Sequence, residues 1–493
     1  MARPVLLNVR DLSGGVNRTI HPHLLKDNEV INCRNMVFRT GVPEKRGGSQ
    51  RYNAVSLGSD PVKGIVRFYR SDGTKRLVIG VGTTLKVGDD VNGTFSDIAT
   101  GLTANREWHF EQWKDLLFAT NAVDPLKQYD GTTVTDVAGS PPRAQFIVQH
   151  QNRLFLAGDP ANPSRLYFSE LDDHQAWPAS NFIDIETSSG AGDWITGLAS
   201  SFGDLVIFKH RSTHLLIGDR QENWVRREIF PGIGCVAPRS VTTDGIWTYF
   251  LGADGIYRMR GTTLEHLSHK VNLDLLRSGN LSVAAAAVHD NFLWLTTPIE
   301  SSVDNSEALT FVFDLETKTW TIFSGIRAHA YAVWDGAGDG HEITWGDASQ
   351  GLVFFGDRGT SDDGQPIDAH FTSKAYDLDS FTVIKAFRRF WIDVHSSGAK
   401  WTVSYQIDQS GPGATMDMSS AIIGASGATF WGRAIWGVSR WSTSRIQTFS
   451  ESFRREDFGA SITVTIRNNS STDSGSIHGF AVEAIPRRVL RRA

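Results

Sequence analysis

Gly203-Asp-Leu-Val-Ile-Phe-Lys-His210 places a turn signal directly before a compact apolar run. The same signature recurs as Gly73-Thr-Lys-Arg-Leu-Val-Ile-Gly80, Lys114-Asp-Leu-Leu-Phe-Ala-Thr-Asn121, Gln151-Asn-Arg-Leu-Phe-Leu-Ala-Gly158, Thr243-Asp-Gly-Ile-Trp-Thr-Tyr-Phe250 and His289-Asp-Asn-Phe-Leu-Trp-Leu-Thr296. The runs are too short and too rich in β-branched and aromatic residues for helices, so they read as strands. Their starts lie 41, 37, 52, 40 and 46 residues apart, close to the roughly 40 to 50 residues of one propeller blade. The expected fold class is therefore all-β: a β-propeller of six or seven blades, whose radial closure shields most sheet edges.

Working outward, the composition agrees. The chain has 493 residues with 47 Gly, 15 Trp and 28 Phe, and 21% of its residues are charged, a balance suited to sheets joined by tight turns. Phe313-Asp-Leu-Glu-Thr-Lys-Thr-Trp-Thr321 reads as a hairpin turning at Glu316-Thr-Lys318. Two stretches suggest short helices: Asp27–Met36 behind an Asp27 cap, and Ser268–Arg277 behind a Ser268 cap. Past residue 366 the period changes. Phe387–Val394, Lys400–Ile407 and Ser461–Asn468 alternate like strands of an antiparallel sandwich. The expected organisation is an N-terminal arm at 1–55, a propeller at 56–365 and a C-terminal β-sandwich-like domain at 366–493.

Several chemistries are disfavoured. Cys33 and Cys235 are too few and too far apart for a disulfide framework, a redox pair or a cysteine zinc site. Met1–Arg10 lacks an apolar run long enough for a signal peptide, and no stretch approaches a membrane span, so a soluble chain made in a cytoplasm is expected. No phosphate loop, nucleophile elbow or zinc-helix motif occurs. His210 and His214 have the spacing of helical metal ligands but sit between two apolar runs and read as a hairpin turn. His21-Pro-His23 is no stronger. Asp335-Gly-Ala-Gly-Asp339 resembles half a calcium loop, yet Ala337 stands where an oxygen ligand belongs. Asp172 and Asp173 point in different directions on an extended backbone and make no catalytic pair. No catalytic, cofactor or metal site is expected.

Two features remain as candidate interfaces. Trp431, Trp436 and Trp441 recur every five residues, interleaved with Arg433 and Arg440, which suits packing, a subunit contact or sugar stacking. The chain closes on Arg487, Arg488, Arg491 and Arg492. A net charge of −5 and the lack of a dense basic module argue against tight nonspecific DNA binding.

Leu12-Ser-Gly-Gly-Val-Asn17, Asn35-Met-Val-Phe38 and Gly41-Val-Pro-Glu-Lys-Arg-Gly-Gly48 resemble the N-terminal segment of the propeller-bearing tail nozzle or tail hub proteins of tailed bacteriophages, including the packaged-DNA stabilisation and tail tubular B types. Arg165–Asp173 with Trp177-Pro178, Phe208–Thr213, Gly232–Val241 and Asp244–Tyr257 are similar to later motifs of that family. The matches run from about residue 11 to 275. The resemblance implies a non-enzymatic virion protein, assembled in the bacterial cytoplasm as a ring of six copies below the portal and adaptor. Such a ring retains packaged double-stranded DNA, conducts it at ejection without sequence-specific binding, and carries spike, fibre or needle proteins, with no stable membrane insertion. Two rivals stand beside it: a carbohydrate-binding or glycan-degrading propeller, and an intracellular scaffold propeller.

Overall fold

A computed structural model describes residues 3–38, 41–187, 192–335, 341–395, 401–408, 414–417, 446–472 and 474–489. The chain divides into two compact units, one of Gln50–Phe311 with Ile326–Gly356, the other of Met1–Ser49, Val312–Gly325 and Asp357–Ala493.

The first unit is a β-propeller. Five four-stranded antiparallel meanders follow one another, beginning at Val62, His109, Phe146, Ile195 and Thr242. A sixth blade starts with Ala285–His289 and Phe292–Pro298 and enters Ala308–Asp314, the strand in which the chain passes into the other unit. The seventh is built from Ala328–Asp335, His341–Asp347 and Val353–Gly356. Its outer strand, Ser49–Arg51, comes from before the first blade, and the Tyr52 amide donates to the Val353 carbonyl at 2.8 Å. This overlap fastens the ring with hydrogen bonds between distant parts of the sequence.

All six recurring signatures fall on the turn between a blade's innermost and second strands. Four are turns with positive φ at both central residues: Lys114 and Asp115, Gln151 and Asn152, Phe202 and Gly203, Asp290 and Asn291. That geometry matches the twist of the flanking strands and favours Asn, Asp and Gly. Hydrophobic layers such as Phe155, Leu166, Leu205 and Ile207 fill the space between blades.

The second unit is a sandwich of two antiparallel sheets. Its labelled strands are β1 (Val5–Val9), β2 (Val30–Arg34), β3 (Gln365–Ser373), β4 (Val383–His395), β5 (Trp401–Ile407), β6 (Ile446–Ser452), β7 (Ile462–Ser470) and β8 (Ser476–Val489). One sheet runs β1-β8-β4-β6 and the other β2-β3-β7-β5. Alternate residues point inward: Phe390, Ile392 and Val394 of β4 and Ile462, Val464 and Ile466 of β7 are buried. Tyr405 of β5 meets Phe453, beside β6, edge-on at 4.8 Å, joining the two sheets.

Four expectations change. Residues 1–49 are not a separate arm, because β1 pairs with β8 and β2 with β3. The propeller does not fill 56–365: Val312–Gly325 clusters with the sandwich, where the Val16 amide donates to the Trp320 carbonyl and Thr321 Oγ1 to the Met36 carbonyl. Asp27–Met36 is no helix. A sheet partner outweighs local propensity there, with Cys33 opposite Phe371. The other expected helix shrinks to Asn272–Leu275, and Ser268 Oγ accepts from the Ile256 amide instead of capping it. The Phe313–Thr321 hairpin is present, with Asp314 Oδ1 accepting from the Glu316 and Thr317 amides.

Candidate functional site

The innermost strands of the first, second, fifth, sixth and seventh blades, with the connection before the fifth, line a cavity of about 340 Å³. Gly64, Thr242, Ala286, Ala330 and Tyr331 are among its walls. In a propeller these strands turn a free backbone edge toward the axis, which makes the wall polar although many side chains are small and apolar. The size is that of a small-molecule pocket, far too small to thread a nucleic-acid duplex.

One end of the axis holds an ion cluster. Arg239 donates to Glu107 Oε2 and, at 3.1 Å, to the Val283 carbonyl. His329 Nε2 lies 2.8 Å from the same carboxylate oxygen, and Lys63 Nζ is 3.6 Å from Oε1. Burial on its own raises the Glu107 carboxyl, but Arg239, His329 and Lys63 outweigh it and bring it down to about 2. Burial, reinforced by Arg239, pushes the neighbouring His109 imidazole down to about 4. Burial and Arg239 lower His329 as well, against the pull of Glu107. Near neutral pH two fixed cations thus share one carboxylate, and the imidazoles carry no charge. The cluster ties residues of the first, second and seventh blades to the connection before the fifth, so its direct consequence is a pinned ring.

These four residues did not stand out in the sequence, being scattered over 63, 107, 239 and 329. Their common signal is positional, because each lies at or just before the start of an innermost strand. Arg239 belongs to Gly232–Val241, whose path is tight: a Cβ on Gly234 would stand 2.2 Å from the Lys209 carbonyl oxygen.

One spot in the propeller brings hydroxyl, imidazole and carboxylate together. Ser212 Oγ donates to Asp193 Oδ2 at 2.7 Å and lies 3.1 Å from His214 Nε2. Ser212 and His214 are 1% and 0% exposed, and burial pushes His214 down to about 4. The hydroxyl proton goes to the acid rather than the imidazole, and no substrate reaches it. The arrangement is a packing contact, not a nucleophile.

The N-terminal motifs converge within the sandwich unit. Arg46 forms a two-pronged pair with Asp362 at 2.9 and 2.6 Å, and its Nε donates to Asn35 Oδ1 at 2.9 Å. Asn35, at φ 54°, also donates to Ser324 Oγ and the Asp368 carbonyl. Lys45 donates to the Ser470 carbonyl. A Cβ on Gly47 or Gly48 would fall 2.1 Å from Asp357 or 2.0 Å from the Ser361 carbonyl. Gly15, at φ +68°, lies against Thr319 and Trp320, where a Cβ would stand 2.9 Å from the Thr319 Cβ. The chain entering the propeller at 49 and leaving it at 356 is therefore clamped at its root, with Ser49 and Asp362 in parallel register.

The other sequence candidates separate. His210 stacks on Trp194 at 4.7 Å in a hairpin turn, while His214 is buried in the following strand. His21 and His23 stack on each other. Asp335 pairs with Lys75 at 2.5 Å, while residues 336–340 lie outside the described residues. Asp172 pairs with Lys114. Cys33 and Cys235 are buried thiols, pushed up to about 12 and about 11 by burial. Arg487 is exposed near the Phe458 ring, and Arg488 stands opposite Ile384 in the β4–β8 pairing. Trp431, Arg433, Trp436, Arg440, Trp441, Arg491 and Arg492 lie outside the described residues. Among the described residues no group of three or more His, Cys, Asp or Glu is placed to hold a metal, and no helix is long and apolar enough to cross a membrane.

No family profile matches the chain, and no curated protein matches it. Among solved structures, one described as YCF48 bound to D1 peptide is similar over 63% of this chain and 95% of its own, at 10% identity and a TM-score of 0.38. A likeness of that degree carries no functional argument. The propeller assignment stands on the sheets themselves.

Proposed function

We propose that this chain is a structural, non-enzymatic subunit of a bacteriophage tail nozzle, one of six copies ringed below the portal and adaptor. The observation that carries this reading is the junction at the propeller's root. Leu12–Asn17, Asn35–Phe38 and Gly41–Gly48, the segments that resemble the nozzle family's N-terminus, meet around Arg46, Asn35 and the Ser324 region. Residues that share one mechanical task explain why three short motifs keep their order and spacing. The family then supplies the rest of the proposal: retention of packaged double-stranded DNA, its conduction at ejection, attachment of spike, fibre or needle proteins, and a place in the virion tail. The DNA path is the axis of the assembled ring, since the propeller's own cavity is too small. A net charge of −5 per copy favours passage of a polyanion without trapped phosphate contacts.

The test is native mass measurement and negative-stain imaging of the purified 54.4 kDa chain, alone and with portal–adaptor particles. Rings of six copies with a central hole are expected in at least the second mixture. A chain that stays monomeric and leaves those particles bare would overturn the proposal. Release of reducing sugar from a host glycan would replace it with the carbohydrate reading.

A further inference from the structure

Exposed sheet edges invite pairing with other chains, and proteins blunt them with charge. The propeller follows this rule: its outer edge strands carry Asp97, Asp136, Asp184, Arg226 and Glu265 in the first five blades. β1 of the sandwich breaks it. Val5-Leu6-Leu7-Asn8-Val9 has no charged residue, and Leu6 is 60% exposed. Among the described residues β1 has only β8 beside it. At the far edge of the same sheet, among the described residues β6 has only β4 beside it.

Strand directions make these two edges complementary. β1 is antiparallel to β8, β8 to β4 and β4 to β6, so β6 runs opposite to β1. A rotation that brings β6 of the next copy against β1 continues the antiparallel alternation without a break. Exposed charges are mixed at both edges: Arg3 and Arg10 flank β1, while β6 carries Glu451 and is followed by Arg454, Arg455 and Glu456. Two β1 strands set against each other would instead gather like charges.

We propose that β1 of each copy adds to β6 of its neighbour, a head-to-tail joint that closes a ring of this chain. The inference rests on the ring reading above and names its interface. The joint is sheet extension, in which backbone hydrogen bonds supply affinity and Leu6 adds apolar burial.

Cysteine pairing tests it on the full chain. Leu6→Cys or Asn8→Cys is combined with Thr448→Cys or Ser450→Cys, all at exposed positions. Native Cys33 and Cys235 are 0% exposed and do not compete. Oxidation of assembled protein is expected to give a covalent ladder ending at the ring size in at least one combination. Rings seen by imaging without any ladder would overturn the joint and leave the ring reading intact. Neither rings nor ladder would overturn both. Efficient dimers from Leu6→Cys alone would replace it with a two-fold β1 contact. As a second readout, Leu6→Lys is expected to cut the ring fraction at least tenfold with an unchanged melting midpoint. Undiminished assembly of that variant would count against the joint.

Discussion

The Arg67 guanidinium of the first blade lies 3.7 Å from the centroid of the Trp334 ring of the seventh. It also grips Asp90 with two hydrogen bonds of 3.1 and 2.8 Å, and Asp335 lies 3.9 Å from its Nε. Tyr52, from the closing segment, packs against Trp334 and Phe355. The ring is thus closed twice, by a borrowed outer strand and by this cation at the seam. Arg67→Lys keeps the charge but loses the planar fork and most of the stacking. We expect a loss of ~2 kcal/mol, read as a lowered melting midpoint. A midpoint equal to that of the parent chain would show that the strand alone closes the ring.

This seam marks the boundary of what the sequence discloses. Blade positions are legible because each rests on a local turn whose Asp, Asn or Gly residues fit positive φ, as at Asp115, Asn152 and Asn291. The seventh blade's first two strands, Ala328–Asp335 and His341–Asp347, pair antiparallel. Pairings across long separations leave no such local trace. Arg46 with Asp362, Glu107 with Arg239 and β1 with β8 are set by tertiary packing, and so the N-terminal segment read as an arm. Asp27–Met36 misled for a related reason: polar residues near a cap signal suited a helix, while the partner that makes it a strand lies more than three hundred residues away.

The Arg46–Asp362 pair at the propeller's root is nearly buried, with side chains 4% and 18% exposed. Removing one partner leaves the other charge without compensation, a cost of ~3 kcal/mol or more. Arg46→Met and Asp362→Leu should each destabilise strongly, whereas the double variant should recover much of the loss. A double-mutant cycle on chemical unfolding measures this. Simple additivity of the two losses would mean that the pair is not coupled.

Two glycines separate contact from conformation. Gly203 has φ +85° and open space where a Cβ would stand, so Gly203→Ala should cost only the backbone preference, about 1 kcal/mol. For Gly48 a Cβ would lie 2.0 Å from the Ser361 carbonyl oxygen, and backbone on both sides must shift. Gly48→Ala is expected to destabilise several times more, or to abolish soluble expression. Equal effects would show that the root relaxes freely.

Stability should fall in mildly acidic solution, before ordinary carboxylates protonate. Burial pushes His150 and His214 down to about 4, while burial together with Arg239 does the same to His109. The unfolded chain takes up protons near pH 6.5, but the folded chain resists until about 4, so this stability is present above 6.5 and lost across the interval. For His150 and His214, 4% and 0% exposed, the loss is up to ~3 kcal/mol each at ~1.4 kcal/mol per pH unit. Glu111 works in the opposite sense. Burial pushes it up to about 7, so the folded chain binds its proton first and gains stability as pH falls from 7 toward 4.5. Glu107, held down to about 2, is ionised in both states down to about pH 5.5 and adds to the loss only as pH nears 4.5, where the unfolded carboxyl takes up protons. Three histidines against one carboxyl leave a net loss. Melting midpoints measured at pH 7, 5.5 and 4.5 should decline steadily, and His150→Gln should flatten the decline. A midpoint that holds or rises between pH 7 and 5.5 would mean that the Glu111 gain outweighs the histidines, which Glu111→Gln would then remove.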